Sequence, residues 1–332
     1  MSSSSAPAAY RTRSRWQHAL VQSAPLLLSL TILVGTLGVY IVLFESDLHR
    51  LPGNFEWTSL VNNSLPLVFV AVGQTVVVLT RGLDLSVGGV IALTNTVVAS
   101  HMHEGTGSML AWSLIGLAVG AGAGMVNGAL VAYGRLQPIL VTLATLSIYD
   151  GLAIKVLPEP GGAIPLSYTK ILTNPLAPWG LVFVGVVIAI WLVFRRTSFG
   201  VNVFALGNDE EAAGAQGVPI RRTKVGAYVF SGTFAAAGGL FYVATTTAGD
   251  ATSGDAFILT SIASVVLGGI SFFGGRGSAI GAIAGAFALT AVVNVLFFAH
   301  INPLYQDAFQ GLFLVVAVVL GAFVGRLVRV AT

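Results

Sequence analysis

The chain has 332 residues, of which 55% are hydrophobic and only 9% charged, and its mean hydropathy is +0.87. Soluble domains carry roughly 25% charged residues, so this composition excludes a soluble globular protein and specifies a polytopic membrane protein. The absence of cysteine excludes disulfides, thiol catalysis and thiolate metal sites, and the net charge of +3 comes from asymmetry between loops, not from a nucleic-acid-binding surface.

The first twenty residues, MSSSSAPAAYRTRSRWQHAL, are Ser/Ala-rich and then basic, and are expected to form a cytoplasmic tail, 1–20. The apolar run after them is too long for a signal-peptide h-region and lacks a small-residue cleavage site, so it reads as a retained first span. At about twenty apolar residues per crossing, spans are expected near 21–43, 59–79, 86–103, 109–133, 137–157, 179–194, 225–246, 256–273, 278–299 and 304–325. The expected fold is therefore all-α, with about ten transmembrane helices in one domain, 21–325, and a cytoplasmic tail at 326–332.

The basic residues test this layout. With the amino terminus cytoplasmic, thirteen of the sixteen Lys and Arg residues fall inside, among them Arg81, Arg135, Arg221, Arg222, Lys224 and Arg276, whereas Arg50, Lys155 and Lys170 fall outside. A slip of one span would scramble the separation, and an even number of spans returns the carboxyl terminus to the cytoplasm. The 81–103 region is short and reads as either a span or a re-entrant segment.

Two glycine ladders, Gly116/Gly120/Gly124/Gly128 and Gly277/Gly281/Gly285, give faces on which helices approach closely, as packing within one subunit requires. Polar residues within or beside the spans are few: Asn62, Asn63, Gln74, Thr75, Asn95, Asn127, Tyr149, Asp150 and Asn294. An unpaired polar group is costly there; each therefore either bonds between helices or lines a path. Gln74, Asp84, Ser86, Asn95 and Asn127 are the candidates for a translocation path, and amides and hydroxyls with few charges suit a neutral, hydroxyl-rich solute. In the turn RGLDLSVGG, 81–89, Asp84 is placed to cap the following helix, while Gly82, Gly88 and Gly89 permit a tight or broken backbone. A broken helix lining a path and an ordinary capped hairpin both fit.

The longest polar interruption is 195–224, with basic residues at both ends. A short helix inside it has both termini written out: Asn208 as the N-cap, Asp209, Glu210 and Glu211 in the first turn, Gly217 in the left-handed C-terminal position, and Pro219 as the stop. Asn208 and Glu211 have capping-box spacing, and Ala212, Ala213 and Ala215 leave a small-residue face. So short a helix is marginal alone in water and is expected to rest on something.

No GxxxxGK[ST] loop, HExxH or GxSxG motif occurs, so no catalytic residues and no nucleotide site are expected in this chain. In the His101, His103, Glu104 cluster the two imidazoles sit on one short loop without a convincing third and fourth ligand, and no metal site is expected. Two Asn-Pro-Leu triplets, at 174–176 and 302–304, both fall outside and read as loop turns rather than as the paired half-helices of a pore.

Four blocks in order resemble the membrane permease subunits of bacterial ABC importers for sugars, of the ribose, xylose and galactofuranose type. They are GQTVVVLTRGLDLSVGGVIAL (73–93), NGALVAYGRLQPILVTLATLSIYDGLA (127–153), ALGNDEEAAGAQGV (205–218) and VVLGGISFFGGRGSAIGAIAGA (265–286). The resemblance runs from about 60 to 325. It implies a coupling helix in 195–224 that docks on an ATPase, carried here by Asn208, Asp209, Glu210, Glu211, Ala212, Ala213 and Gly217. It further implies a second permease copy or a sister permease, two cytoplasmic ATPase subunits that hold ATP-Mg, an extracytoplasmic sugar-binding protein, an inner-membrane location with both termini cytoplasmic, and no cofactor in this chain.

The sequence departs from that family at Leu259, Thr260, Ser261, Ile262, Ala263 and Ser264, where an acidic residue is missing, at Asp150, where a basic residue is common, and at Arg81, where glycine is common. An Arg81–Asp150 pair is not expected, because Asp150 lies about 22 Å up a helix from Arg135. The competing class is an energy-independent channel or a secondary carrier for a small neutral polyhydroxy solute, and dependence of flux on ATP separates the two.

Overall fold

Backbone amides and carbonyls have no water to bond in the bilayer core, so long apolar runs must close their hydrogen bonds within helices. The computed structural model describes residues 15–319 except 175, 178, 303, 306, 307, 310, 314, 317 and 318, with side chains described from residue 26. Among the described residues twelve helices are delimited: α1 Arg15–Leu48, α2 Asn54–Leu79, α3 Val87–His101, α4 Thr106–Ala132, α5 Pro138–Val156, α6 Leu166–Leu172, α7 Trp179–Phe194, α8 Ser198–Asn208, α9 Glu210–Ala215, α10 Ile220–Thr246, α11 Asp255–Leu267 and α12 Ala279–Phe298. The described residues from 304 to 319 are also helical. No strand forms among the described residues; Gly161 and Gly249 make one isolated antiparallel bridge.

The helical regions coincide with the expected spans, with informative differences. Leu26–Leu48 of α1, α2, α4, α5, α10 and α12 are each long and apolar enough to cross a bilayer, and α7 with α8 forms a further candidate bent by 73°. At 1.5 Å per residue α3 and α11 are only about 22 and 20 Å long, short of the roughly 30 Å hydrocarbon core. The expected span 256–273 stops at Leu267 because Gly269, Gly274, Gly275 and Gly277 all take positive φ and end the helix in a glycine turn. Helix α1 begins at Arg15, inside the expected 1–20 tail. Residues 1–14, the end of the expected tenth span and the 326–332 tail lie outside the described residues.

Helix α2 is the centre of the bundle, buried almost continuously from Leu65 to Leu79. It packs on α10, α12, α11 and α7, and the core joins Trp191 and Phe194 of α7, Phe234 and Phe241 of α10 and Leu289 of α12. With lipid outside there is little hydrophobic drive between helices, so close packing must supply the association. The first glycine ladder supplies it: Gly120 faces the Gly232 carbonyl, Gly124 the Tyr228 carbonyl and Gly128 the Val225 backbone, all on α10. The second sets Gly281 and Gly285 of α12 against the Gly268 and Ser264 backbone at the end of α11. Both ladders therefore pack helices within the subunit, as expected, except that Gly277 lies in the turn before α12, against Ile270. Tyr40 and Phe44 hold α1 to Phe298 of α12 through ring contacts.

The loops sort into two faces. Thr80, Arg81, Arg135, Glu210, Arg221 and Lys224 surround one cavity, and the Gly275 amide reaches the Leu79 carbonyl at 3.0 Å. This is the basic face assigned to the cytoplasm. At the other ends of the helices, His300 contacts Asp47 at 3.0 Å, Ser167 donates to Glu104 at 2.8 Å, and Asn62 donates to the Asn174 carbonyl at 3.4 Å. Leu176 donates a backbone N–H bond to Asn174 Oδ1 in a loop turn, as expected, whereas Leu304 is already helical and its bond to Asn302 Oδ1 makes Asn302 a helix cap and not a loop turn.

Candidate functional site

The 195–224 stretch folds as two helices, α8 and α9, where the sequence indicated one. Thr197 caps α8, its Oγ1 accepting from the Gly200 amide at 3.1 Å. The N-cap of α9 is Asp209, not Asn208: Asp209 Oδ1 accepts from the Ala212 amide at 3.0 Å. Asn208 closes α8 instead, and its amide donates to the Phe204 carbonyl at 2.9 Å and the Gly275 carbonyl at 3.4 Å. The Asn208–Glu211 capping box therefore does not form. Both Asn208 and Asp209 are good N-caps, and the contact to the distant glycine turn decides between them.

The C-terminus of α9 forms as read. Gly217 has φ +85, its amide donates to the Gly214 carbonyl at 3.0 Å, and the Val218 amide donates to the Ala213 carbonyl at 3.0 Å, which is a Schellman closure. Ala213 is buried and seats the helix, so it leaves the exposed small face to Ala212 and Ala215; Glu211 is exposed beside them. Glu210 is engaged as well, with both carboxylate oxygens on Lys224 Nζ at 2.8 and 2.9 Å, strapping α9 to the start of α10. A six-residue helix is thus held at four points: cap, closure, buried Ala213 and ion pair.

The base of this platform meets the α2–α3 turn. Arg81 Nε donates to the Gly207 carbonyl at 2.9 Å and its Nη2 to the Asn208 carbonyl at 2.6 Å. These are terminal carbonyls of α8, where a cation is favoured. A Cβ on Gly207 would overlap the Leu79 carbonyl, so only glycine lets α8 sit there. Arg81 adopts φ +65, and its partners are the α8 carbonyls, not Asp150.

Three residues further on, Asp84 anchors the same turn in the bundle. Its Oδ1 accepts from the Ser86 amide at 3.1 Å and Ser86 Oγ at 2.6 Å, and its Oδ2 accepts from Ser231 Oγ of α10 at 2.8 Å. Asn127 of α4 donates to Ser86 Oγ at 2.7 Å. Asp84 does not cap α3: the N-cap is Ser86, which makes no side-chain capping bond. Its carboxylate instead ties the turn to α10 through Ser231, Ser86 ties it to α4 through Asn127, and all four side chains are buried. Gly88 and Gly89 let α3 approach Gly254 and Ile258 on one side and Leu146 and Tyr149 on the other.

The remaining path candidates are separate. Asn95 donates to Ser253 Oγ at 2.9 Å and accepts from the Asp250 amide at 3.3 Å, fastening α3 to the loop after α10. Gln74 is fully buried, and neither its Oε1 nor its Nε2 has a partner. The structure thus brings Asp84, Ser86 and Asn127 together, leaves Gln74 and Asn95 apart, and buries all five. Ser231 was not among the candidates; a lone serine in an apolar run gives no sequence signal.

Among the described residues no cluster of three or more potential metal ligands forms. His101 stacks on Trp112 at 4.6 Å, and Glu104 accepts from Ser167.

A bundle of apolar helices with a fully pinned surface helix on its basic face, hydrogen-bonded through a buried turn to the central helices, defines a membrane permease component. The chain belongs to the family described as branched-chain amino acid transport system / permease component, which it matches over residues 57–318. It is similar to the probable ABC transporter permease protein y4mJ of Sinorhizobium fredii, with 32% identity over 296 residues, 86% of this chain and 88% of that one. It is also similar to the autoinducer 2 import system permease protein LsrC of Yersinia enterocolitica, 33% identical over 82% of this chain and 75% of that one. The ribose import permease protein RbsC of Bacillus subtilis is 32% identical over 76% of this chain and 80% of that one. No solved structure matches. The chain is a permease subunit of an ABC importer and a multi-pass protein of the bacterial inner membrane.

Proposed function

We propose that this subunit translocates a sugar or sugar-like neutral solute by alternating access, driven by two cytoplasmic ATPase subunits that dock on α9. One observation carries the reading: α9 is pinned at every point, and its base is bonded through Arg81 to the turn that Asp84 locks into α4 and α10. Motion imposed on α9 therefore has a continuous bonded route to the helices of the bundle, and the exposed Glu211, Ala212, Ala215 and Gly217 give a partner a surface to push. The chain itself is proposed to be non-catalytic and to hold no cofactor, with ATP-Mg in the partner ATPases. A second permease, either another copy or a sister chain, and an extracytoplasmic sugar-binding protein complete the assembly.

The family description names branched-chain amino acids, whereas relatives are named for ribose and autoinducer 2. The side chains favour a neutral solute. The one carboxylate among the path candidates, Asp84, is already met by three donors inside the protein and is not free for an ammonium group. We assign Asp84, Ser86 and Asn127 the role of a lock and Asn95 that of a fastener. Gln74 is the residue whose unpaired amide is available to a hydroxyl in another state of the cycle.

The test is a double variant of the α9 caps, Asp209→Ala with Gly217→Ala. Losing an aspartate cap costs about 1 kcal/mol, and alanine in the left-handed region about 1–2 kcal/mol, enough to unravel a six-residue helix and leave the bundle folded. Solute-stimulated ATP hydrolysis should lose its link to uptake while the chain stays in the membrane. Normal transport by this variant would remove α9 from the drive.

A further inference from the structure

Beside α9 lies a cavity of about 570 Å³ lined by Arg81, Arg135, Arg221, Lys224, Glu210 and Tyr228, among others. Four cations and one carboxylate give it a net formal charge of +3. Their partners differ. Lys224 is neutralised by Glu210, and Arg81 is turned to the α8 carbonyls. Arg135 has no hydrogen-bond or ion-pair partner among the described residues. It stands in the α4–α5 turn at φ +55, a conformation that is costly outside glycine. Arg221 lies over the Tyr133 ring at 5.6 Å, without an anionic partner among the described residues. The N-terminal ends of α5 and α10, at Pro138 and Ile220, open into the same space, and neither has a side-chain cap. They add to the positive potential that the arginines set.

We infer that this cavity is a second contact for the ATPase, receiving an acidic segment of that subunit between Arg135 and Arg221. The inference rests on the reading that the ATPase docks on α9. Glu210 belongs both to α9 and to the cavity wall, so a partner seated on the exposed face of α9 covers the cavity mouth. That partner would bury two arginines without counter-charges, at a large desolvation cost, unless it brought carboxylates of its own. The contact would join the α4–α5 turn to the drive, which α9 alone does not touch. The ATPase would thus grip the permease on both sides of the cavity.

The experiment measures affinity of the purified ATPase for the full-length permease in detergent micelles free of phospholipid, for wild type, Arg135→Glu/Arg221→Glu, Arg135→Gln/Arg221→Gln, and the α9 double variant. The charge reversal should weaken association at least tenfold and the neutral pair less. Wild-type affinity should fall steeply between 0.05 and 0.5 M salt, on the order of a Debye length of 14 Å shrinking to about 4 Å, and the reversed variant should lose that slope. An acid-to-lysine change on the permease-facing surface of the ATPase should restore binding to the reversed variant. If the α9 variant loses the ATPase but the reversal does not, the acidic contact is wrong and the α9 reading stands. If the reversal matters only when phosphatidylglycerol is added, the cavity serves an anionic lipid headgroup and the inference is overturned. Millimolar inorganic phosphate that binds the wild-type chain but not the charge-reversed one, and leaves ATPase affinity unchanged, overturns it equally. The glutamine pair and the wild-type salt titration decide the matter even if the double glutamate does not fold.

Discussion

Removing the Arg81 guanidinium should disconnect the platform from the bundle without displacing the ATPase. Arg81 donates two charge-assisted bonds, at 2.9 and 2.6 Å, to the last carbonyls of α8. A buried bond of this kind contributes about 1.5–3 kcal/mol. Arg81 is exposed on one side, so the pair is discounted for solvent to about 2–3 kcal/mol, or roughly 30- to 160-fold in the balance between a seated and an unseated α8 base. The left-handed backbone of Arg81 costs about 1–2 kcal/mol for any residue with a Cβ. Arg81→Ala keeps that strain and loses both bonds; Arg81→Gly loses the bonds and sheds the strain. The glycine variant should therefore be the more stable of the two by about 1 kcal/mol, while both are equally uncoupled. Arg81→Lys, with a point charge in place of a fork, should fall between them and wild type. The assay is solute taken up per ATP hydrolysed in proteoliposomes holding permease, ATPase and binding protein, alongside thermal unfolding in detergent. A drop of at least tenfold in the ratio for both variants is expected. An unchanged ratio in both would refute the route through Arg81.

Gly124→Val should lower stability by about 1–3 kcal/mol through overpacking against the Tyr228 backbone, whereas Gly122→Ala, whose Cβ meets open space, should be neutral or raise it by up to about 1 kcal/mol; chemical unfolding in detergent compares them. Asp84→Ala strips the acceptors from Ser86 and Ser231 and should cost about 2–4 kcal/mol, read as loss of folded protein on size exclusion, with Asp84→Asn milder. Gln74→Met removes a buried amide with no partner and should leave stability unchanged or raise it by about 1–3 kcal/mol while reducing uptake; equal uptake would make Gln74 a packing residue. In this cysteine-free chain, Arg135→Cys should react with an impermeant thiol reagent only from the cytoplasmic side and Lys170→Cys only from the outside, and the opposite pattern would invert the topology.

The helices were legible because lipid leaves a coarse signature, apolar length, which is local in sequence, and arginine accumulation groups the loops into faces by an equally local signal. Gly116 to Gly128 also announced a close helix contact, though not that α10 would fill it. What escaped were contacts settled across long separations. Asn208 and Asp209 are equally able caps, and the glycine turn at 275 takes Asn208 for itself. Arg81 finds its partners 126 and 127 residues away. Asp84 looked like a helix cap because it precedes Ser86, yet Ser231, 147 residues on, draws its second oxygen. Helix α8 was missed although Thr197 caps it, since the surrounding arginines made 195–207 read as loop. Helix α6 was missed because it has only about two turns and no sequence cap, its N-cap being Pro165.

The central claim is that flux through this chain is driven by a partner's ATP hydrolysis. The direct measurement places the purified chain in liposomes alone, and then with its ATPase subunits and binding protein, and follows solute entry with and without ATP. Accumulation against a gradient only in the complete, ATP-supplied vesicles is the predicted result. Saturable solute flux through the chain alone, unaffected by ATP, would contradict it.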